Sequence, residues 1–522
     1  MPIRMSGLAS GMDTEGIIKE LMAAQRTKAT KIENSITKLE WKQEKWKTLN
    51  SKIYSFYTDS LAKIRMQGSF MTKKAASSNE AKVEVNANSS VPEGSHSLKV
   101  KSVASAQFIT GVKPPELTGS ASYDTKLSAL NLIPVAGASI TVKAGTQTKN
   151  LEIKADTTIG DVVNVLQEAG LNASYDTTQQ RFFISSKTSG IANAFSITST
   201  DPAKPVDLTR LGISDVTFTT DTVTGTTDVT VAPGVSVIEP KDAIVIYNNA
   251  EIRSSTNSIS ANGLNLTVKN VTSGLDNADP NDDEIINISI TKDTQAVYDM
   301  IKGFVKSYND VLKDLNKSYN ADVAKGYEPL TDEQRKAMSE DDIEKWEGKI
   351  KDSLLRRDGV AGSVINSMRA ITAVKINHEG KSYSLASFGI TSVEYTEKGI
   401  LHISGDKDDS LVNSKDDKLM KALSENPNAV MKVFNEFAGK LYSTMTDQMK
   451  STPISSALTF YNDKELNNTM EDYEKDLSNQ EDRLSMLESR YYKQFTAMET
   501  MISQLNNKSS SLASLLGTNT GS

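Results

Sequence analysis

The sequence predicts an α+β multidomain protein, with a helical coiled-coil stalk built from both termini and β-rich domains inserted in the middle. Apolar spacing, composition and charge all point that way. From Ile32 the apolar residues fall at Ile36, Leu39, Trp46, Leu49, Ile53, Tyr57, Leu61 and Ile64. From Leu477 they fall at Leu484, Leu487, Tyr491, Phe495, Met498, Ile502, Leu505, Leu512 and Leu516. Steps of three, four and seven draw a seam too narrow for one face of a globule, so each end needs a partner helix. The simplest partner is the other end, giving a rod with both termini at one tip and a globular insertion at the other. Between Met66 and Gln295 the chain is rich in Thr, Ser, Asn and Val, with three arginines (Arg181, Arg210, Arg253) and no Trp. Residues 1–75 carry 14 Lys/Arg against 7 Asp/Glu, and residues 463–522 carry 6 against 10. Opposite fields favour pairing of the two ends.

At 522 residues several domains are expected. Residues 1–45 with 464–522 read as a terminal coiled-coil leg, 46–72 with 292–463 as a helical or mixed leg domain, and 73–291 as β-rich head domains. A net charge of −7 argues against nucleic acid as a main partner, because a phosphate-binding surface needs a basic patch. There is no cysteine, which removes disulfides, thiolate metal sites and thiol nucleophiles together. The N-terminus shows no apolar signal region with a cleavage site, and no stretch approaches the roughly 18 apolar residues of a membrane span.

Element by element, Asp13-Thr14 offers an N-cap before Glu15, and Ile17, Ile18, Leu21 and Met22 begin the stripe. The helix is expected to run to about Met66 with a break near 28–31. Alternation at Lys82–Val85 and Ser97–Val103 predicts half-buried strands. Residues 139–187 read as a ββαββ module: strands at 140–143 and around Leu151 and Ile153, a capped helix from Thr158, a terminating Gly170, then strands at 171–175 and 181–184. Further strands are expected at Val229/Val231 and 243–247, with Asn248-Asn249 as a turn, then at 264–268 and 286–290. Helix returns at Thr294, again around Trp346, from Leu354 to Ile371, and from Leu419 to Met449 with a break at Asn426-Pro427. Short strands are placed at 373–376 and 399–403. The C-terminal rod begins near Lys464. The steps Leu487 to Tyr491 to Phe495 are a stutter that locally unwinds a supercoil.

No catalytic constellation emerges, and neither enzyme activity, a cofactor nor a bound metal is expected. His96, His378 and His402 lie in unrelated segments without ligand spacing. Gly380-Lys381-Ser382 lacks the upstream glycine of a phosphate loop, since position 375 is Lys375. Asp279/Asn281/Asp283 and Asp406/Asp408/Ser410 mimic calcium ligands without the glycine and final Glu such loops use.

Four ordered strings carry a resemblance. Ser6–Thr14 followed by Ile17–Met22, the module at 139–187, the run from Asp242 through Asn248-Asn249 to Gly263–Val268, and Arg490–Glu499 together resemble bacterial flagellar filament cap proteins, the hook-associated protein 2 family. Met12, where leucine is commoner, and the missing glycine after Asn249 are small departures. Tyr327–Leu355 is similar to an insertion of Gram-positive members. The resemblance implies a self-associating cap at the extracellular tip of the flagellum, exported through the flagellar type III system without a cleaved signal peptide. It implies a homo-oligomer, a pentamer, whose partners are flagellin, hook–filament junction proteins and an export chaperone. On this reading Leu477, Leu484, Leu487, Phe495, Ile502 and Leu505 pack the leg, while Ile17, Ile18, Leu21 and Met22 dock it on neighbouring subunits or flagellin. The alternatives are another flagellar axial or junction protein, or a surface adhesin binding host glycan or mucin through the β domains. An exposed aromatic cluster would support an adhesin, but strand cores account better for Phe182, Phe183 and Phe195.

Overall fold

The computed structural model describes residues 11–517 apart from 116, 133–134, 222–225 and 273–283. The loop with Asp279, Asn281 and Asp283 therefore lies outside the described residues, as do most of the N-terminal segment 1–13 and the last five residues. The chain forms two compact units, one joining the residues up to Phe70 with those from Thr294 onward, the other Met71–Asp293. The helices are α1 (Thr14–Ser55), α2 (Ala62–Arg65), α3 (Ile159–Glu168), α4 (Thr294–Tyr319) and α5 (Asp332–Lys336). They continue with α6 (Glu340–Ser353), α7 (Gly359–Thr372), α8 (Lys418–Glu425), α9 (Pro427–Gln448) and α10 (Asp463–Gly517).

In the helical unit, the Asp13 side chain caps α1 by accepting from Gly16 N–H at 2.8 Å. The break expected near 28–31 is absent. Ala29 is buried, and the hydroxyls of Thr27 and Thr30 bond back to the carbonyls of Ala24 and Arg26, so neither threonine interrupts the ladder. The irregularity comes later, as a π-turn at Phe56–Leu61. One extra residue per turn there lets both Phe56 and Tyr57 be buried. Phe56 packs on Phe304 and Tyr308, while Tyr57 stacks on Tyr442 at 4.2 Å, with the Arg65 guanidinium 3.8 Å from the centre of the Tyr442 ring. Ile53, Leu61, Ile64, Ile301, Leu312, Phe434 and Phe437 complete the core.

The helix read from Leu354 starts five residues later. Arg357 adopts a left-handed φ of 52°, and the Asp358 carboxylate then caps α7 by accepting from Val360 and Ala361. The strands placed at 373–376 and 399–403 form only as Ile376–His378 and His402–Ile403. Glu379 and Gly380, both left-handed, make the two-residue turn between Ile376–His378 and Lys381–Tyr383, so Gly380-Lys381-Ser382 is the end of a hairpin turn and the start of its second strand.

Lys302, Asn309 and Asn316, seven apart on α4, hold the 397–412 strap. Lys302 Nζ donates to Asp406 at 2.5 Å and Asp408 at 2.6 Å, so a side-chain ammonium takes the place a calcium ion would have had. Asn309 bonds both the carbonyl and the N–H of Leu401, and Asn316 donates to the Lys398 carbonyl. His402 is buried with Asp409 2.5 Å from Nδ1 and Glu397 2.9 Å from Nε2. Burial alone would raise the Asp409 carboxyl, but hydrogen bonds from His402 and the Leu411 N–H outweigh it and hold it below the usual range. Lys302 holds Asp408 low in the same sense. A carboxylate depressed in the native state stabilises above its unfolded value of about 4, and that stability is lost as pH falls through the native value. The Leu401 amide is therefore expected to lose hydrogen-exchange protection as pH falls below the ordinary carboxylate range, before the Ile301 amide in α4 does. Equal loss at the two sites would refute the strap's separate acid sensitivity.

The β-rich unit holds two cores. A five-stranded sheet runs in the order Lys73–Ser77, Ile286–Lys292, Gly94–Ser102, Ala243–Tyr247, Ala250–Ser254. It shares a core with the sheet of Ser258–Ala261, Leu264–Val268 and Val83–Ala87, through Val83, Leu98, Val245, Leu266 and Ile288. Asn248 and Asn249, both left-handed, make the expected hairpin turn. The elements of the 139–187 module are present but do not form one sheet. Ser139–Ala144 and Gln147–Glu152 pair with Phe195–Ser199, whereas Leu171–Asp176 and Arg181–Ser186 pair with Phe108–Thr110 and, beyond it, Ser236–Ile238. The second core, with α3, lies among these strands and includes Ile109, Val142, Leu166, Phe182 and Phe195. Thr158 and Asp161 close a capping box at the start of α3. Thr158→Ala is expected to cost about 1 kcal/mol in urea unfolding, and an unchanged midpoint would refute the cap.

Candidate functional site: the paired terminal helices

The candidate site is the α1–α10 pair, and its geometry begins at the root. Trp46 is buried and stacks on Tyr461 with ring centroids 5.5 Å apart and planes 5° from parallel. The Asn50 amide bonds the Phe460 N–H and the Leu458 carbonyl, and Gln43 donates to Asn467 at 2.5 Å. These contacts make the helices antiparallel. With equal rise on both, the Gln43–Asn467 register puts Ile18 level with Tyr492 and Thr14 level with Thr496.

Along this pair the docking residues divide into two sets. Ile18 and Met22 are buried at 3% and 7% exposure, while Ile17 and Leu21 stand at 38% and 41%. They alternate because residues one apart on a helix lie about 100° round from each other. On α10, Leu477, Leu484, Leu487, Phe495 and Ile502 are half-buried, and Leu505 is 64% exposed. Leu505 therefore does not pack the leg as expected. The register explains it: α10 continues past the level of Thr14 for about 20 residues, roughly 30 Å, with its seam still apolar. Met501 and Leu512 are exposed on that stretch as well. Met501 was not singled out from the sequence, although its four-residue spacing to Leu505 was the available signal.

Charge distributes differently from the sequence expectation. Four α1 lysines pair with the 314–358 segment instead of α10: Lys38 with Glu328, Lys42 with Asp358, Lys45 with Asp352 and Lys52 with Asp314. Lys45 Nζ also donates to the Lys351 and Asp352 carbonyls at the end of α6, and burial lowers its pKa despite Asp352. Lys38 and Lys45 tie the charged α5–α6 insertion to α1, while Lys42 reaches the cap of α7 and Lys52 reaches α4. A cleft of about 670 Å³ beside it is lined by Trp41, Lys45, Lys52, Lys317, Tyr327 and Lys351. Lys45 and Lys52 are ion-paired there, and Lys351 Nζ lies 4.7 Å from the centre of the Trp41 ring.

Among the described residues no group of three or more His, Asp or Glu converges to hold a metal ion. Nor is any described helix long and apolar enough to cross a membrane. Phe182 and Phe195 are fully buried, whereas Phe183 is 41% exposed.

The flagellar hook-associated protein 2 N-terminus family matches residues 10–107, and the flagellar hook-associated protein 2 C-terminus family matches residues 240–507. The chain is 26% identical to flagellar hook-associated protein 2 of Halalkalibacterium halodurans over 556 residues, covering 98% of this chain and 99% of that one. Its identity to the Escherichia coli protein of the same name is 24%, covering 99% and 98%. Among solved structures, the flagellar cap protein FliD D1-D2-D3 domains from Escherichia coli give a TM-score of 0.48 at 18% identity, covering 78% of this chain and 96% of that one. With both helical ends and the strands beside them matched in order, the chain belongs to the flagellar hook-associated protein 2 family.

Proposed function

We propose that the protein caps the distal tip of the flagellar filament, retaining exported flagellin and promoting its folding and polymerisation there. The exposed apolar seam of α10 beyond the level of Thr14 carries this reading, because it suits a helix that completes its packing on other molecules. Ile17, Leu21, Met501 and Leu505 dock the leg, and Ile18 and Met22 hold α1 to α10. Each leg binds weakly enough to release as a subunit adds, while the legs of a homo-oligomer, a pentamer, together hold the cap by multivalency. Flagellin and the hook–filament junction proteins are the partners, reached by non-cleaved type III export with an export chaperone. Domain boundaries at 1–45 with 464–522, 46–72 with 292–463, and 73–291 separate tip, leg body and head.

Complementation tests the reading. A strain lacking the protein is expected to regain filaments with the full chain, but to lose flagellin into the medium with a chain ended after Glu499. Restored filaments from the shortened chain would refute leg docking.

A further inference from the structure

The sheet of Ser236–Ile238, Phe108–Thr110, Arg181–Ser186 and Leu171–Asp176 buries one face on the core through Ile109 and Ile184. Its other face is set by the register. One row reads Ile238, Phe108, Ser185, Asn172, and the next Ser236, Thr110, Phe183, Ser174. None of these eight residues is charged. Ile238, Phe108 and Phe183 are 55%, 45% and 41% exposed, on adjacent strands. A groove of about 580 Å³ runs across Phe108, Thr110, Asn172, Ser174 and Phe183, with Lys187 at its margin. Ser236–Ile238 is the edge strand, three residues long.

The area selects the occupant. Three partly exposed apolar side chains offer on the order of 300 Å². A stable protein pair buries about 800 Å² on each partner, so a folded second copy is poorly served. An extended strand is well served. It would hydrogen-bond along the open edge and lay every second side chain beside Ser236 and Ile238, with a long side chain at that position reaching toward the Phe108 ring one strand further in. The lack of charge on this face favours an uncharged segment.

We propose that this face captures an extended, uncharged stretch of unfolded polypeptide by adding it as a further strand at Ser236–Ile238. The inference rests on the capping reading, in which incoming subunits arrive unfolded, and it names the part of the head that meets them.

The probe is a fluorescein-labelled ten-residue peptide alternating valine and threonine, with a lysine at each end, titrated with the full chain by fluorescence anisotropy. Ile238→Ser with Phe108→Ser is expected to weaken binding about tenfold, the loss of roughly one partly buried side chain's transfer energy, with an unchanged thermal melt. A peptide N-methylated at alternate residues keeps its side chains but cannot extend the sheet, and is expected to lose binding similarly. Equal binding by the double variant, or undiminished binding of the N-methylated peptide, would overturn the proposal. So would sedimentation showing that the unmodified chain self-associates through this face and the variant does not. Should the unmodified chain ignore the peptide yet restore filaments, the groove is refuted and capping stands. Peptide binding without filament rescue refutes capping and leaves the groove standing.

Discussion

A chain carrying Met501→Asp and Leu505→Asp is expected to fold and melt like its parent, yet to leave cells without filaments. Both side chains are about two-thirds exposed, so replacing them removes little burial and costs within about 1 kcal/mol. Their value lies in what they meet when the leg docks. An aspartate there would carry its charge into an apolar contact, a penalty that a helix seam does not tolerate. Met486→Asp is the matched control. It is equally exposed, but its neighbours three and four residues away are Asp482, Arg483, Ser489 and Arg490, whereas Met501 has Met498 and Leu505; filament growth should persist. Motility-agar diameter and filament length by microscopy read both results. Normal filaments from the double variant would remove the docking role of this stretch.

Trp46→Ala is expected to cost about 3–5 kcal/mol in urea unfolding of the helical unit. The indole is 1% exposed and fills the junction where α1, the loop ending at Tyr461 and the start of α10 meet. Its loss leaves a cavity and an unstacked tyrosine together. Trp46→Phe, which retains a ring against Tyr461, should recover part of the loss. A change below about 1 kcal/mol, the ordinary size for a surface substitution or less, would mean that the root does not hold the two helices.

The helices and their partnership were legible because an apolar period survives in one dimension. Trp46, Leu49, Ile53, Leu61 and Ile64 were all placed on the stripe, and all are buried. The π-turn was not legible, since Phe56 and Tyr57 could not both face one core at ordinary helical pitch. The destination of the lysines was also hidden. Lys38, Lys42, Lys45 and Lys52 repeat with helical spacing, but the acids they meet lie 262 to 316 residues away. Long-range pairing likewise hid the division of the 139–187 hairpins between two sheets, because Phe195–Ser199 and Phe108–Thr110 compete for them outside the module. At Phe182-Phe183 the period-two rule alone requires one ring out, and grouping both as core overlooked it. The leg tip was half legible: Ile17, Ile18, Leu21 and Met22 were found together, but only the register of α10 separates the inward pair from the outward one.

The antiparallel register of α1 and α10 also sets an order of events for a chain that emerges from its N-terminal end. Gln43 must wait for Asn467 and Trp46 for Tyr461, more than 400 residues later. Loop closure over such a span belongs late in folding. The first helix can meet the 314–358 segment before then, but its pairing with α10 waits until nearly everything else has appeared, whereas the 71–293 unit has all its strands available much sooner. Maturation ends where it began, at the tip.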